Sequence, residues 1–130
     1  MPVSSSGDVR GGSLSGAHVL VVEDNRCVGM ALVSALTDSG MVVAGPAATP
    51  AEAKRLTRKQ TPDLVLMDLN LGGELAVDLI HWLHQRGLRV IAMSGVAELP
   101  KSIREDTAFL QKPFGADELL TTMRDVMLAA

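Results

Sequence analysis

The sequence predicts a doubly wound α/β domain: a five-stranded parallel sheet in (βα)5 order with helices on both faces. Three observations predict it. Five short runs, VLVV (19–22), MVVA (41–44), LVLM (64–67), VIAM (90–93) and AFL (108–110), are apolar on successive residues, as strands covered on both faces are. Stretches with the periodicity of one apolar helix face separate them. Four of the runs lead into residues that handle phosphate or a divalent cation, and such sheets carry their ligands at the carboxyl ends of the strands.

Residues 1–17 are rich in Ser and Gly and show no periodicity, so they read as a flexible tail, with the domain spanning 18–130. The first strand runs from His18 into Glu23 and Asp24. Val28, Ala31, Leu32, Ala35 and Leu36 share one face of the following helix, and Gly40 provides its stop. After the second strand, Thr49-Pro50-Ala51-Glu52 combines a capping hydroxyl, a proline at the first helical position and a glutamate three residues past the cap. The third strand ends on Asp68. Ala76, Leu79, Ile80 and Leu83 form the next helical stripe, closed by Gly87. The fourth strand ends on Ser94-Gly95, and the segment from Val96 to Thr107 that follows is short for a parallel crossover. Pro100 removes a donor and disfavours helix at Leu99, so this segment is expected to form one or two helical turns and, with few apolar residues, to be mobile. The fifth strand leads to Lys112-Pro113, and Leu119, Leu120, Met123, Val126 and Met127 mark the last helix.

At 130 residues, 47% hydrophobic and 21% charged, the chain has the length and composition of one globular domain. Twelve basic against fifteen acidic side chains leave a net charge of -3, and no basic stripe follows a helix face, so a nucleic-acid surface is not expected. One cysteine excludes an internal disulfide; Cys27 reads as a buried small hydrophobe. No stretch approaches the ~18 apolar residues of a membrane span and no signal peptide is visible, so a cytoplasmic protein is expected. His81 and His84 are three apart on a helix and read as a solvated face. Trp82, off the main stripe, reads equally as a partner-binding surface or as cover for the flank of the third helix.

If the runs are neighbouring parallel strands, Glu23, Asp24, Asp68, Ser94 and Lys112 converge at one edge. Three carboxylates gathered there repel one another unless a cation neutralises them. Lys112 supplies one charge, and the excess favours a hard divalent ion, Mg²⁺ first.

In this order (Glu23-Asp24, Asp68, Ser94, Lys112-Pro113) the sequence resembles the receiver domains of two-component response regulators, over residues 18 to 130. The string DLNLGGE (68–74), the LQKPF ending and the short fourth crossover resemble a subgroup of mostly single-domain receivers, whose Thr-Gly pair is Ser94-Gly95 here. The resemblance implies a flavodoxin-like fold and a phosphoryl group accepted on Asp68 from a sensor histidine kinase or histidine phosphotransfer protein. It also implies Mg²⁺ held by Glu23, Asp24, Asp68 and the backbone carbonyl of Asn70, with Lys112 on the phosphoryl oxygens. Ser94 and Phe109 would form the switch, and the Lys112-Pro113 peptide would be cis. Phe109 reads nearly as well as a core residue, because it lacks a phenolic hydroxyl. With no output domain in view, a downstream protein partner is expected, and the short crossover in place of the fourth-helix face through which many receivers dimerise implies a largely monomeric free protein. Val96, apolar beside the expected acyl phosphate, implies slow hydrolysis.

Three alternatives remain. An Mg²⁺-dependent phosphatase with an aspartate nucleophile needs a second acid two residues on, where this chain has Asn70. A flavodoxin-like cofactor binder would not meet a phosphate with Glu23 and Asp24. A degenerate receiver that docks without being phosphorylated has no need of the intact acidic set.

Overall fold

The computed structural model describes residues 14–72, 74–95 and 99–129. Its central sheet has five parallel strands: β1 (His18–Val22), β2 (Val42–Ala47), β3 (Leu64–Asp68), β6 (Arg89–Ser94) and β7 (Ala108–Gln111), in the order β2-β1-β3-β6-β7. A two-stranded antiparallel hairpin, β4 (Asn70–Leu71) and β5 (Glu74–Leu75), follows β3. The helices are α1 (Arg26–Asp38), α2 (Pro50–Lys59), α3 (Val77–Gln85) and α4 (Ala116–Leu128).

The unbroken apolar runs are covered on both sides, as their composition requires. Leu20, Val22, Val65, Met67, Val90 and Ala92 pack with α2 and α3 residues in one core cluster; Val19, Val21, Leu64, Leu66, Ile91 and Met93 pack with α1 and α4 residues in another. Alternate residues of each strand therefore serve opposite layers. Alternation along a strand and burial of both faces are compatible because each face has its own helices.

The caps form where their residues stand. Asn25 Oδ1 accepts from the Val28 amide (3.0 Å) and starts α1. Thr49 Oγ1 accepts from the Glu52 amide (3.1 Å), while Glu52 reaches back to the Ala48 amide (3.0 Å), one residue before the cap. Ala76, Leu79, Ile80 and Leu83 are all buried, as their spacing predicts.

Four expectations are corrected. Residues 14–17 belong to the fold: Leu14 is buried beside Leu36 and Met41, and the Gly16 amide donates to the Gly40 carbonyl (2.8 Å). Only residues 1–13 of the expected tail lie outside the described residues. Helix α1 turns Gly29, Leu32, Val33 and Leu36 inward, leaving Val28, Ala31 and Ala35 exposed. That rotation follows from a close approach: a Cβ at Gly29 would lie 2.6 Å from Pro46 Cβ, so only glycine lets α1 meet the end of β2 there. The same rotation leaves Cys27 exposed. Finally, His84 is only partly exposed, and its Nε2 is buried without a hydrogen-bond partner.

The fourth crossover carries no regular helix among the described residues. From residue 100 to 106 it winds through i→i+3 turns, with the Ile103 amide on the Pro100 carbonyl (3.1 Å) and the Asp106 amide on that of Ile103 (3.3 Å). Few apolar residues suffice to seat it: Leu99 is 5% exposed and Ile103 1%, both within the α2–α3 core. Val96 lies outside the described residues.

Candidate functional site

The carboxyl ends of the parallel strands bring together what the sequence placed far apart. Glu23 and Asp24 follow β1, Asp68 ends β3, Ser94 ends β6 and Lys112 follows β7. Backbone bonds align these ends: the Leu69 amide donates to the Met93 carbonyl (2.9 Å) and the Lys112 amide to the Ser94 carbonyl (2.7 Å). The Lys112–Pro113 peptide is cis.

One carboxylate oxygen each from Glu23, Asp24 and Asp68 lies within 4.8 Å of the others. Lys112 Nζ donates to Asp68 Oδ2 at 3.1 Å and approaches Glu23 Oε1 at 3.5 Å. Glu23 is nearly sealed at 2% exposed, Asp68 is buried and Asp24 faces solvent, so the cluster is a shallow acidic pocket open on the Asp24 side. The second oxygens are used locally: Glu23 Oε2 accepts from the Asn25 amide (3.1 Å) and Asp68 Oδ1 from the Asn70 amide (3.0 Å). These bonds hold each carboxylate in one orientation while leaving lone pairs for a ligand.

The electrostatics follow from that geometry. Burial raises the Glu23 carboxyl above its ordinary range, opposed by the Asn25 amide and reinforced by the charge of Asp68. Asp24 is held below its ordinary value, first by the hydrogen bond from the Gly72 amide. Burial pushes Lys112 down, but its hydrogen bond to Asp68 and the charges of Asp68 and Glu23 outweigh it and leave the ammonium above its ordinary value. A buried acid that resists ionising, beside two others, is a donor set that a divalent ion neutralises. Oxygen-only ligands with an open side suit Mg²⁺, which keeps several of its waters.

Sequence reasoning missed the hairpin. Gly72 takes φ +61 at its tip, and its amide donates to Asp24 Oδ2 at 2.8 Å. The signal was the Gly72-Gly73 pair beside Leu71, a turn dipeptide. Asn70 opens this hairpin, paired with Leu75. Phe109 is half-buried, set opposite Ala92 on β6 and packed against the α2–α3 core that also contains Leu99 and Ile103. Ser94 is buried at the end of its strand. His81 is exposed, and among the described residues neither it nor His84 joins a possible metal cluster. No helix is long and apolar enough to cross a membrane among the described residues.

Comparison with known proteins agrees with this architecture. The family model for the response regulator receiver domain matches residues 19–124. The regulatory protein VirG of Agrobacterium fabrum is 32% identical over 113 residues, covering 82% of this chain and 44% of that protein. The chain thus spans about half the length of the curated relatives it matches. The solution structure of the PhyR response regulator REC domain of Erythrobacter litoralis is 29% identical at a TM-score of 0.76, covering 88% of this chain and 92% of that one. A putative response regulator from Chloroflexus aurantiacus is 25% identical at a TM-score of 0.73, covering 88% of this chain and 100% of that one.

Proposed function

The chain belongs to the response regulator receiver domain family, a signalling domain of two-component systems, and from that premise we propose that Asp68 accepts a phosphoryl group from a histidine kinase or a histidine phosphotransfer protein. The observation that carries this reading is the pairing of Asp68 Oδ2 with Lys112 Nζ at 3.1 Å inside a three-carboxylate pocket. A carboxylate so placed has a cation beside the oxygen that would bond to phosphorus.

Receiver domains generally bind Mg²⁺ at an acidic pocket. Here the side chains of Glu23, Asp24 and Asp68 and the carbonyl of Asn70 would hold it, and when bound it supplies the positive charge that offsets the carboxylates and the incoming phosphoryl oxygens. In the transfer, an Asp68 carboxylate oxygen forms a bond to phosphorus as the P–N bond of the donor phosphohistidine breaks. The imidazole nitrogen leaves with the electron pair and takes up a proton, and an acyl phosphate remains on Asp68. Positioning and charge neutralisation carry most of such a reaction. Lys112 then pairs with a phosphoryl oxygen as a point charge, and the Ser94 hydroxyl donates to another. Phe109, without a hydroxyl, relays the change by packing against the core that seats the fourth crossover.

A donor protein has a place to dock beside this pocket. The outward face of α1, with Val28, Ala31 and Ala35, forms an apolar groove with Phe114 and Leu119, and the groove reaches Lys112. A downstream protein partner reads the phosphorylated state, and the phosphoryl group is a signal and not a turnover intermediate.

Incubation with acetyl phosphate and Mg²⁺, read by intact mass, tests the assignment. Wild-type protein should gain one phosphoryl group that hydroxylamine removes, as it does from an acyl phosphate, and Asp68→Asn should keep the fold and gain none. Labelling of Asp68→Asn at the wild-type level would overturn it.

A further inference from the structure

Helices α2 and α3 together build a basic surface that neither shows alone. The half-buried indole of Trp82 on α3 lies against three cations: Arg86 Cζ is 4.1 Å from the ring centroid, and Lys54 Nζ and Arg58 Cζ on α2 are each 5.4 Å from it. The sequence reading found no basic stripe. The fold makes one by setting Lys54 and Arg58, one turn apart, beside Arg86 at the C-terminal end of the neighbouring helix.

This cluster is under-compensated. Among the described residues, none of the three cations has a carboxylate within 4.0 Å, the ion pairs being Arg55–Glu52 and those of Lys112. Asp78, one turn before Trp82 on α3, pairs with none of them, and Glu52 is engaged by Arg55 and the Ala48 amide. Attraction to the face of one ring draws three like charges together, and their mutual repulsion favours any anion that enters between them. The chain as a whole carries -3, so the patch opposes the sign of its surroundings. Tryptophan and arginine are also the side chains most often found at the energetic centre of protein interfaces.

We propose that the Trp82 surface, with Lys54, Arg58 and Arg86, docks an acidic segment of a protein partner. Carboxylates of that segment pair with the three cations across α2 and α3, while its apolar atoms cover the indole. Nucleic acid fits less well: three clustered cations engage few phosphates, and the net negative charge of the chain repels a polyanion. The proposal does not depend on the chemistry at Asp68, since no residue of the patch belongs to that site.

Trp82 is the one tryptophan in a chain without tyrosine, so its emission reports the patch directly. The test is a fluorescence titration of the full chain with a capped oligoglutamate peptide, an oligoglutamine peptide of equal length and a short DNA duplex. A saturable change in Trp82 emission with oligoglutamate alone, weakening as salt is raised, supports the proposal. So does a loss of about fivefold or more in affinity for Lys54→Ala/Arg58→Ala and for Arg86→Ala, with Lys54→Arg close to wild type and circular dichroism unchanged throughout. An absent response, equal affinity in the variants, or tighter binding of the duplex would overturn it. Variants that lower the melting temperature without changing the titration would also do so, since the cations would then only pin α2 to α3.

Discussion

Lys112 Nζ bridges Asp68 Oδ2 and Glu23 Oε1 at 3.1 and 3.5 Å, so a single ammonium serves two buried carboxylates at the carboxyl ends of different strands. Removing it leaves Glu23, 2% exposed, without an ion-pair partner among the described residues. Lys112→Ala should therefore lower stability, by about 1–3 kcal/mol for a lost hydrogen bond to a charged group. Because the folded-state value of Lys112 is raised, its contribution is complete below the ordinary lysine value of 10.5 and disappears as pH rises through the folded value. Denaturant melts should show the wild type and Lys112→Ala converging at alkaline pH. A constant gap across that range would remove the ion pair as the cause.

The carboxylate pocket should respond to metal without any phosphoryl donor. Mg²⁺ at tenfold above its dissociation constant would add about 1.4 kcal/mol by mass action on the folded state. Asp24→Asn withdraws the one solvent-facing carboxylate and should blunt the rise in melting temperature. Equal responses from the two proteins would exclude Asp24 as a ligand.

His84 predicts the acid limb of the stability profile. Burial lowers its value below the ordinary 6.5, with Asp106 opposing and His81 reinforcing. A depressed histidine contributes stability that is fully present above 6.5 and is lost as pH falls through the folded value. Glu23 acts in the opposite sense, its raised carboxyl favouring the protonated folded state as pH falls toward the carboxylate range. The comparison that isolates His84 is wild type against His84→Leu, and the variant should lose less stability on acidification below 6.5. Parallel profiles would show that His84 does not titrate with folding.

The fourth crossover is held by side chains instead of helical hydrogen bonds. Ile103, 1% exposed, is its main anchor, and Ile103→Ala should cost about 2–5 kcal/mol. Hydrogen exchange should then accelerate at residues 99–106 more than in the sheet. Uniform acceleration across all strands would mean that the segment opens only with the whole domain.

Much of this molecule was legible in one dimension. Unbroken apolar runs report strands buried on two faces, and the residues that end them report the ligand edge, because a parallel sheet points every carboxyl end the same way. Glu23, Asp24, Asp68 and Lys112 could be brought together on that logic alone, and the distances among them agree. The cap at Thr49 is local chemistry, readable within four residues of the helix start.

What the sequence by itself determined was the order of the main strands and helices along the chain, the covering of the strands on both faces and the charges delivered to one edge, all consequences of period, propensity and direction along the chain. Only the tertiary structure decided the rotation of α1, which Gly29 and Pro46 set by close approach and which left Cys27 exposed. It also decided the burial of His84 Nε2, the seating of Leu14, Leu99 and Ile103, and the gathering of Lys54, Arg58 and Arg86 around Trp82. Exposure and charge pairing depend on what packs across from a residue, and that neighbour stands far off in the sequence, where no local pattern records it.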